Sequence, residues 1–96
     1  MKYFAVTYDY KPENPVIAKA RPAHREFIGG LKDKGQILGS GPLTDSKGGA
    51  LIVLQFDDED TAVSRVIEIM DQDPFYTAGA VTARSFREWN PVINSF

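Results

Sequence analysis

A single histidine serves the whole chain, and it stands in an unexpected place. His24 lies three and four residues before Phe27 and Ile28 and seven before Leu31. That is the spacing of one helix face, the face that packs inward. A group that titrates near neutral pH therefore occupies a position where leucine would be expected. The plain reading is a hydrogen-bonded core histidine; the chemical one is an acid–base residue at the rim of a pocket. A carboxylate on one ring nitrogen would fix the tautomer and stabilise the imidazolium formed when the other nitrogen takes a proton. Asp73, in the apolar-flanked run "DQDPF", is the best candidate for that carboxylate. An aspartate before proline is also the expected N-cap of a short helical turn over "PFYTAG", and its two oxygens allow both roles. Asp9 is the rival partner, at the end of a polar-edged strand.

Further candidates surround the pair. Arg21 precedes His24 by three residues, and Phe75 follows Asp73 by two. Ser40 and Gly41 lie in "GSGP", read as a glycine-rich turn whose backbone N–H groups could hold an anionic oxygen, although a plain tight turn is the simpler explanation of so weak a motif. Met70 and Trp89 read as packing residues. The chain lacks a G-x-S-x-G elbow, a P-loop and a dinucleotide-binding fingerprint.

Composition narrows the classes of function. Ninety-six residues, 43% hydrophobic and 25% charged, are enough for one domain with a modest core. The formal net charge of −2 argues against a nucleic-acid-binding surface. Arg21, Arg25, Lys32 and Lys34 are interspersed with acids and read most simply as a solvated helix face. With no cysteine and one histidine, disulfides, thiolate chemistry and a multi-histidine metal site drop out. No metal site and no cofactor are therefore expected; one histidine supplies at most a proximal haem ligand, and nothing marks a porphyrin cavity. "MKYFAVTYDY" does not read as a signal peptide, and no apolar run approaches the roughly 20 residues of a membrane span. The expectation is a cytosolic protein without a membrane association.

The elements that must position these residues follow from periodicity. Residues 2 to 9 alternate, with Phe4, Val6 and Tyr8 on one face, and read as a strand. After the loop "KPENP", a helix is expected from about Pro22 to Lys34, with proline in its first turn and Gly35 as its stop. An earlier turn at Val16, Ile17 and Ala20 would be interrupted by Pro22. In that placement His24 feels the positive end of the helix dipole, which favours the neutral, proton-accepting imidazole. "QILGSGPL" reads as a strand, "TDSKGG" as a hairpin turn and "ALIVLQF" (50 to 56) as the returning strand. "DDED" offers N-cap candidates for a second helix with Ala62, Val63, Val66, Ile67 and Met70 on its apolar face. "AVTARSFREW" (80 to 89) reads as the last strand.

The order β-α-β-β-α-β is the split βαβ, ferredoxin-like α+β arrangement with an antiparallel sheet. With strand one running up, the end of strand one, the end of strand two and the end of helix two share one edge, together with the start of helix one. Asp9, Arg21, His24, Ser40, Gly41, Asp73 and Phe75 fall there, as the lining of a small-molecule pocket. A second consequence concerns the sheet. "ALIVLQF" is apolar at nearly every position, whereas a sheet solvated on one face should alternate. Two helices cover one face only, and the economical cover for the other is a second copy of the chain. A homodimer with sheets face to face, or a higher homo-oligomer built from it, is expected.

With those residues in view, the sequence resembles the YCII-related family of small bacterial proteins. "R-P-A-H" opens a helix, "G-x-I-L-x-x-G-P-L" and "D-P-F" followed by "A-G-A-V" come in the same order, and the likeness runs from "YFAVTYD" to the final strand. The resemblance implies a dimeric α+β barrel similar to muconolactone isomerases. It also implies a histidine–aspartate active site, carried here by His24 and Asp73, with Arg21 and the Gly41-Pro42 turn matching the motif. One activity assigned in the family is removal of HCl from a chlorinated hydroxyhydroquinone. The ending "REWNPVINSF" departs from the basic "KPF"-like tail common in the family, and a tail of this kind can line the pocket.

Two functions from different classes follow. The first is a cofactor-independent lyase or isomerase, dehydrochlorinase-like, acting on a small cyclic or aromatic-derived substrate. The second is a small-molecule-binding or accessory module that uses the same pocket without turnover.

Overall fold

The computed structural model describes all 96 residues, in the order β1 (Lys2–Asp9), α1 (Pro15–Asp33), β2 (Ile37–Pro42), β3 (Ala50–Phe56), α2 (Val63–Met70), α3 (Pro74–Thr77) and β4 (Ala83–Trp89). The four strands form one sheet in the order β2-β3-β1-β4, and every neighbouring pair is antiparallel. This is the ferredoxin-like β-α-β-β-α-β fold. No helix is long and apolar enough to cross a membrane.

The period-2 patterns decide the inner face. Phe4, Val6 and Tyr8 of β1 and Ala50, Ile52, Leu54 and Phe56 of β3 are buried beneath the helices, joined by Ile17, Leu31, Val66, Ile69 and Met70. The opposite face carries Tyr3, Ala5 and Thr7 paired with Gln55, Val53 and Leu51. Leu51 is 41% exposed and Trp89 39% exposed, so this face is partly apolar and no helix of the chain lies on it. Only the tail reaches it: the Phe96 ring stands edge-on to Tyr3, 6.0 Å between centroids.

Two helix starts differ from the reading of the sequence. α1 begins at Pro15, the last residue of the "KPENP" stretch read as a loop, with Asn14 as its N-cap accepting from the Val16 N–H at 3.0 Å. Pro22 is therefore inside the helix rather than at its start. A proline there removes the hydrogen bond to the carbonyl four residues back, that of Ala18. Ala18 and Pro22 are both exposed, so the freed carbonyl lies on the solvent side, where water can serve it. His24 consequently sits near the midpoint of a 19-residue helix, beyond the first turn in which the dipole acts. The dipole argument for its neutral form does not apply. α2 likewise starts at Val63 with Ala62 at the N-cap and no side-chain cap bond. Asp58 instead closes its own turn, accepting from the Asp60 N–H at 2.8 Å, and the buried stripe is Val66, Ile69 and Met70.

The far end of α1 ends as expected. Gly35 adopts φ +74°, its N–H bonds Lys32, and the Gln36 N–H bonds Leu31, the paired closure of a Schellman motif. The β2–β3 connection depends on Gly48 and Gly49, both at positive φ. A Cβ at Gly49 would stand 2.5 Å from the Tyr8 carbonyl oxygen, so only glycine lets the hairpin lie against the end of β1.

Candidate active site

The site forms where the inner face of the sheet runs short of large side chains. Toward the upper end of the β2–β3 ladder, Ser40 pairs with Ile52 and Pro42 with Ala50. The inward positions there are Ser40, Pro42 and Ala50, where farther along β3 they are Ile52 and Leu54. α1 cannot close down on such small residues, and a cleft of about 230 Å³ remains beneath it. Its walls are Arg21, His24, Arg25 and Ile28 from α1, Ser40, Gly41 and Pro42 from β2, with Tyr10, Ala50 and Phe75 completing it. That volume lies below the roughly 300–1,000 Å³ of drug-sized ligand sites and suits one small ring compound.

At the inner end of the cleft, Asp73 is fully buried and draws three donors. His24 Nδ1 lies 2.8 Å from Oδ1 and 3.0 Å from Oδ2. The Tyr8 hydroxyl donates to Oδ2 at 2.9 Å, and the Phe75 N–H donates to Oδ1 at 3.0 Å. The last bond is the N-cap of α3, so the short helix "PFYT" is what aims the carboxylate. A carboxylate is acceptor-only, so the ring nitrogen facing it must carry the proton. Nε2 is then the bare, proton-accepting nitrogen, and no group of the chain bonds it. Phe75 holds the ring in plane, stacked at 3.9 Å between centroids and 7° between planes. One aspartate thus both caps a helix and fixes a tautomer.

Tyr8 was not foreseen as part of this arrangement, because in sequence it is simply the third inward residue of an alternating strand. The available signal was its hydroxyl: a tyrosine deep in a core needs a polar partner. Burial is the main reason that this hydroxyl holds its proton far above the ordinary tyrosine range, and the Asp73 charge and hydrogen bond add to the effect. The Arg84 guanidinium beside it pulls the other way. No well-formed bond joins the two, since Arg84 Nη1 is buried without an acceptor while Nη2 reaches Asp71 at 2.7 Å. Above about pH 10 an unfolded tyrosine gives up its proton while Tyr8 in the fold keeps it. Its contribution to stability is full below that pH and is lost as pH rises further. Urea unfolding at pH 8 and pH 11 should therefore show a decline that is visibly smaller in Tyr8→Phe.

The other expected residues divide. Arg21, Ser40, Gly41 and Phe75 line the cleft with His24. Asp9 does not: the alternation that turns Tyr8 inward turns Asp9 outward. It is exposed, and its backbone carbonyl receives the Thr82 N–H and hydroxyl instead. "GSGP" is a strand end paired with β3, not a turn. Successive N–H groups of a strand point to opposite sides, so no anion-binding nest forms there. The tail lies at the other edge of the sheet, where Asn90, Pro91 and Asn94 adjoin Met1, Lys2 and Tyr3. Arg25, Tyr10 and Ile28 were not anticipated in the lining. No cluster of three or more His, Asp and Glu side chains is placed to hold a metal ion.

The sequence profile of the YCII-related domain matches residues 1–90. The chain belongs to the YCII-related family. Among solved structures, this YCII-related protein is similar to the 5-chloro-2-hydroxyhydroquinone dehydrochlorinase of Burkholderia phenoliruptrix, determined in complex with 2,5-dihydroxybenzoquinone. The TM-score is 0.72 at 23% identity, over 92% of this chain and 93% of that one. A protein from Agrobacterium tumefaciens matches with TM-score 0.62 at 15% identity, over 96% and 94% of the two chains. An antibiotic biosynthesis monooxygenase matches with TM-score 0.60 at 16% identity, over 97% and 100%. At these identities the likeness is one of fold. No curated protein sequence matches significantly.

Proposed function

We propose that this protein is a cofactor-independent acid–base enzyme of the lyase or isomerase type, with His24 as the base. The observation that carries the reading is the ring's asymmetry: Nδ1 is tied to a buried carboxylate, while Nε2 is left to a cleft sized for one ring. Nε2 would take a proton from a C–H or phenolic O–H of the substrate, and Asp73 would stabilise the imidazolium that results. Arg21, on the same wall, would add to the positive field that favours the enolate or phenolate. If chloride then leaves with its bonding electron pair, the product is that of a dehydrochlorinase; if the proton returns elsewhere, that of an isomerase. The fold shared with a dehydrochlorinase supports the first outcome.

The test is chloride release from 5-chloro-2-hydroxyhydroquinone and from chlorinated hydroxy-aromatic compounds that also bear a carboxylate, with His24→Ala beside the unaltered protein. Release should exceed that in buffer alone, and His24→Ala should lose most of it. A protein that is stabilised by ring ligands yet gives no release above buffer would be a binding module instead.

We also propose that the uncovered sheet face pairs with the same face of a second copy. Its mixture of Ala5, Leu51, Val53 and Trp89 with few charges fits a sheet-on-sheet contact. Sedimentation should give a dimer, and a monomer stable at all concentrations would contradict it.

A further inference from the structure

The lining of the His24 cleft is unbalanced in charge. Arg21 and Arg25 flank His24 on one turn of α1, and both line the cleft. Neither takes part in any of the ion pairs of the fold. The ten lining residues include no carboxylate. Asp73 does not compensate, since it is fully buried behind the imidazole and already bonded by three donors. Tyr10 and Ser40 also line the cleft, and neither hydroxyl makes a hydrogen bond within the protein. The same lining includes the apolar residues Ile28, Ala50 and Phe75.

Two full positive charges with no internal partner, beside an apolar floor, describe a receptor for a compound with a permanent negative charge. A charge that merely develops during reaction would leave both guanidiniums without a counterion in the resting complex. We propose that the substrate is a small ring compound bearing a carboxylate, which docks on Arg21 and Arg25 and sets an acidic C–H or O–H against His24 Nε2. The guanidinium fork matches a carboxylate in geometry as well as in charge. The anchor also gives the proton transfer its direction: with the carboxylate held on one wall, the ring reaches the imidazole in one orientation. This inference rests on reading the cleft as the place where His24 works.

Direct binding to the full chain at low salt tests it, with benzoate and benzamide as ligands of one shape that differ in charge. Benzoate should bind and raise the melting temperature, and benzamide should do so far less. Arg21→Gln and Arg25→Gln should each weaken benzoate about tenfold. Raising the salt concentration should weaken it further through screening. Both arginines are at the surface, so the variants keep the fold, and an unchanged unfolding transition without ligand confirms it. Equal binding of benzoate and benzamide, no binding of either, or benzoate binding indifferent to both substitutions would overturn the proposal. His24→Ala should keep benzoate binding within a few-fold. A variant that binds benzoate normally and still turns over substrate at the wild-type rate would sink the acid–base reading while leaving the anion site standing.

Discussion

Replacing His24 by alanine should lower kcat/KM by roughly 10²- to 10⁴-fold, the range that positioned proton transfer supplies. The fold should survive. His24 borders the cleft, so water can enter the vacated space and serve Asp73, which keeps its bonds from Tyr8 and Phe75. The same space is shaped for an imidazole ring held flat on Phe75. Added imidazole should therefore restore part of the lost rate, and should restore more of it at higher pH, where more of the added base is unprotonated. A merely structural histidine would show neither the rescue nor its pH dependence. Wild-type turnover in His24→Ala would mean that some other group accepts the proton.

Asp73→Ala should have the largest effect on stability. It removes the acceptor of three buried donors at once: the Tyr8 hydroxyl, the His24 Nδ1–H and the Phe75 N–H. A buried donor left without a partner costs about 1–3 kcal/mol, so the loss should reach ~3 kcal/mol or more. That is a large fraction of the roughly 5–15 kcal/mol by which a domain is stable. Asp73→Asn separates the roles. Its amide oxygen can still cap α3, so unfolding should change much less. The charge that stabilises the imidazolium is gone, and the amide group can donate to Nδ1 and drive the ring proton onto Nε2. Activity should then fall by roughly 10²- to 10⁴-fold with most of the stability retained. Equal losses of stability in the two variants would show that Asp73 matters only as a charge buried in the core.

β1 was legible because it alternates with a period of two, β3 because it is a short apolar run bounded by turn residues, and the hairpin because "TDSKGG" is turn chemistry. The meeting of His24 with Asp73, 49 residues apart, followed from topology: a split βαβ path brings the end of α2 to the same edge as the end of β1. What local reading missed were places where two signals competed. Pro15 and Pro22 both resemble a helix start, and the deciding residue is Asn14, whose side chain caps the first turn. Asp9 looked available until the inward turn of Tyr8 forced it outward. Tyr8 and Arg25 were hidden for opposite reasons, one disguised as an ordinary core residue and the other as an ordinary solvated charge. Tyr8 shows its role only once Asp73 is placed against its hydroxyl, and Arg25 only once β2 and α1 are seen to leave a gap above Ser40, Pro42 and Ala50.

The central claim is that Asp73 holds the one imidazole with its proton on Nδ1 and offers a bare Nε2 to the cleft. With a single histidine in the chain, its two ring nitrogens can be observed by ¹⁵N NMR without assignment ambiguity, and no substrate is needed. Where the imidazole is neutral, the account predicts a protonated Nδ1 and an unprotonated Nε2. In Asp73→Ala, which lacks the acceptor, this tautomeric preference should weaken. A neutral ring with its proton on Nε2 in the unaltered protein would contradict the account, because the nitrogen facing the cleft could then give a proton but not take one.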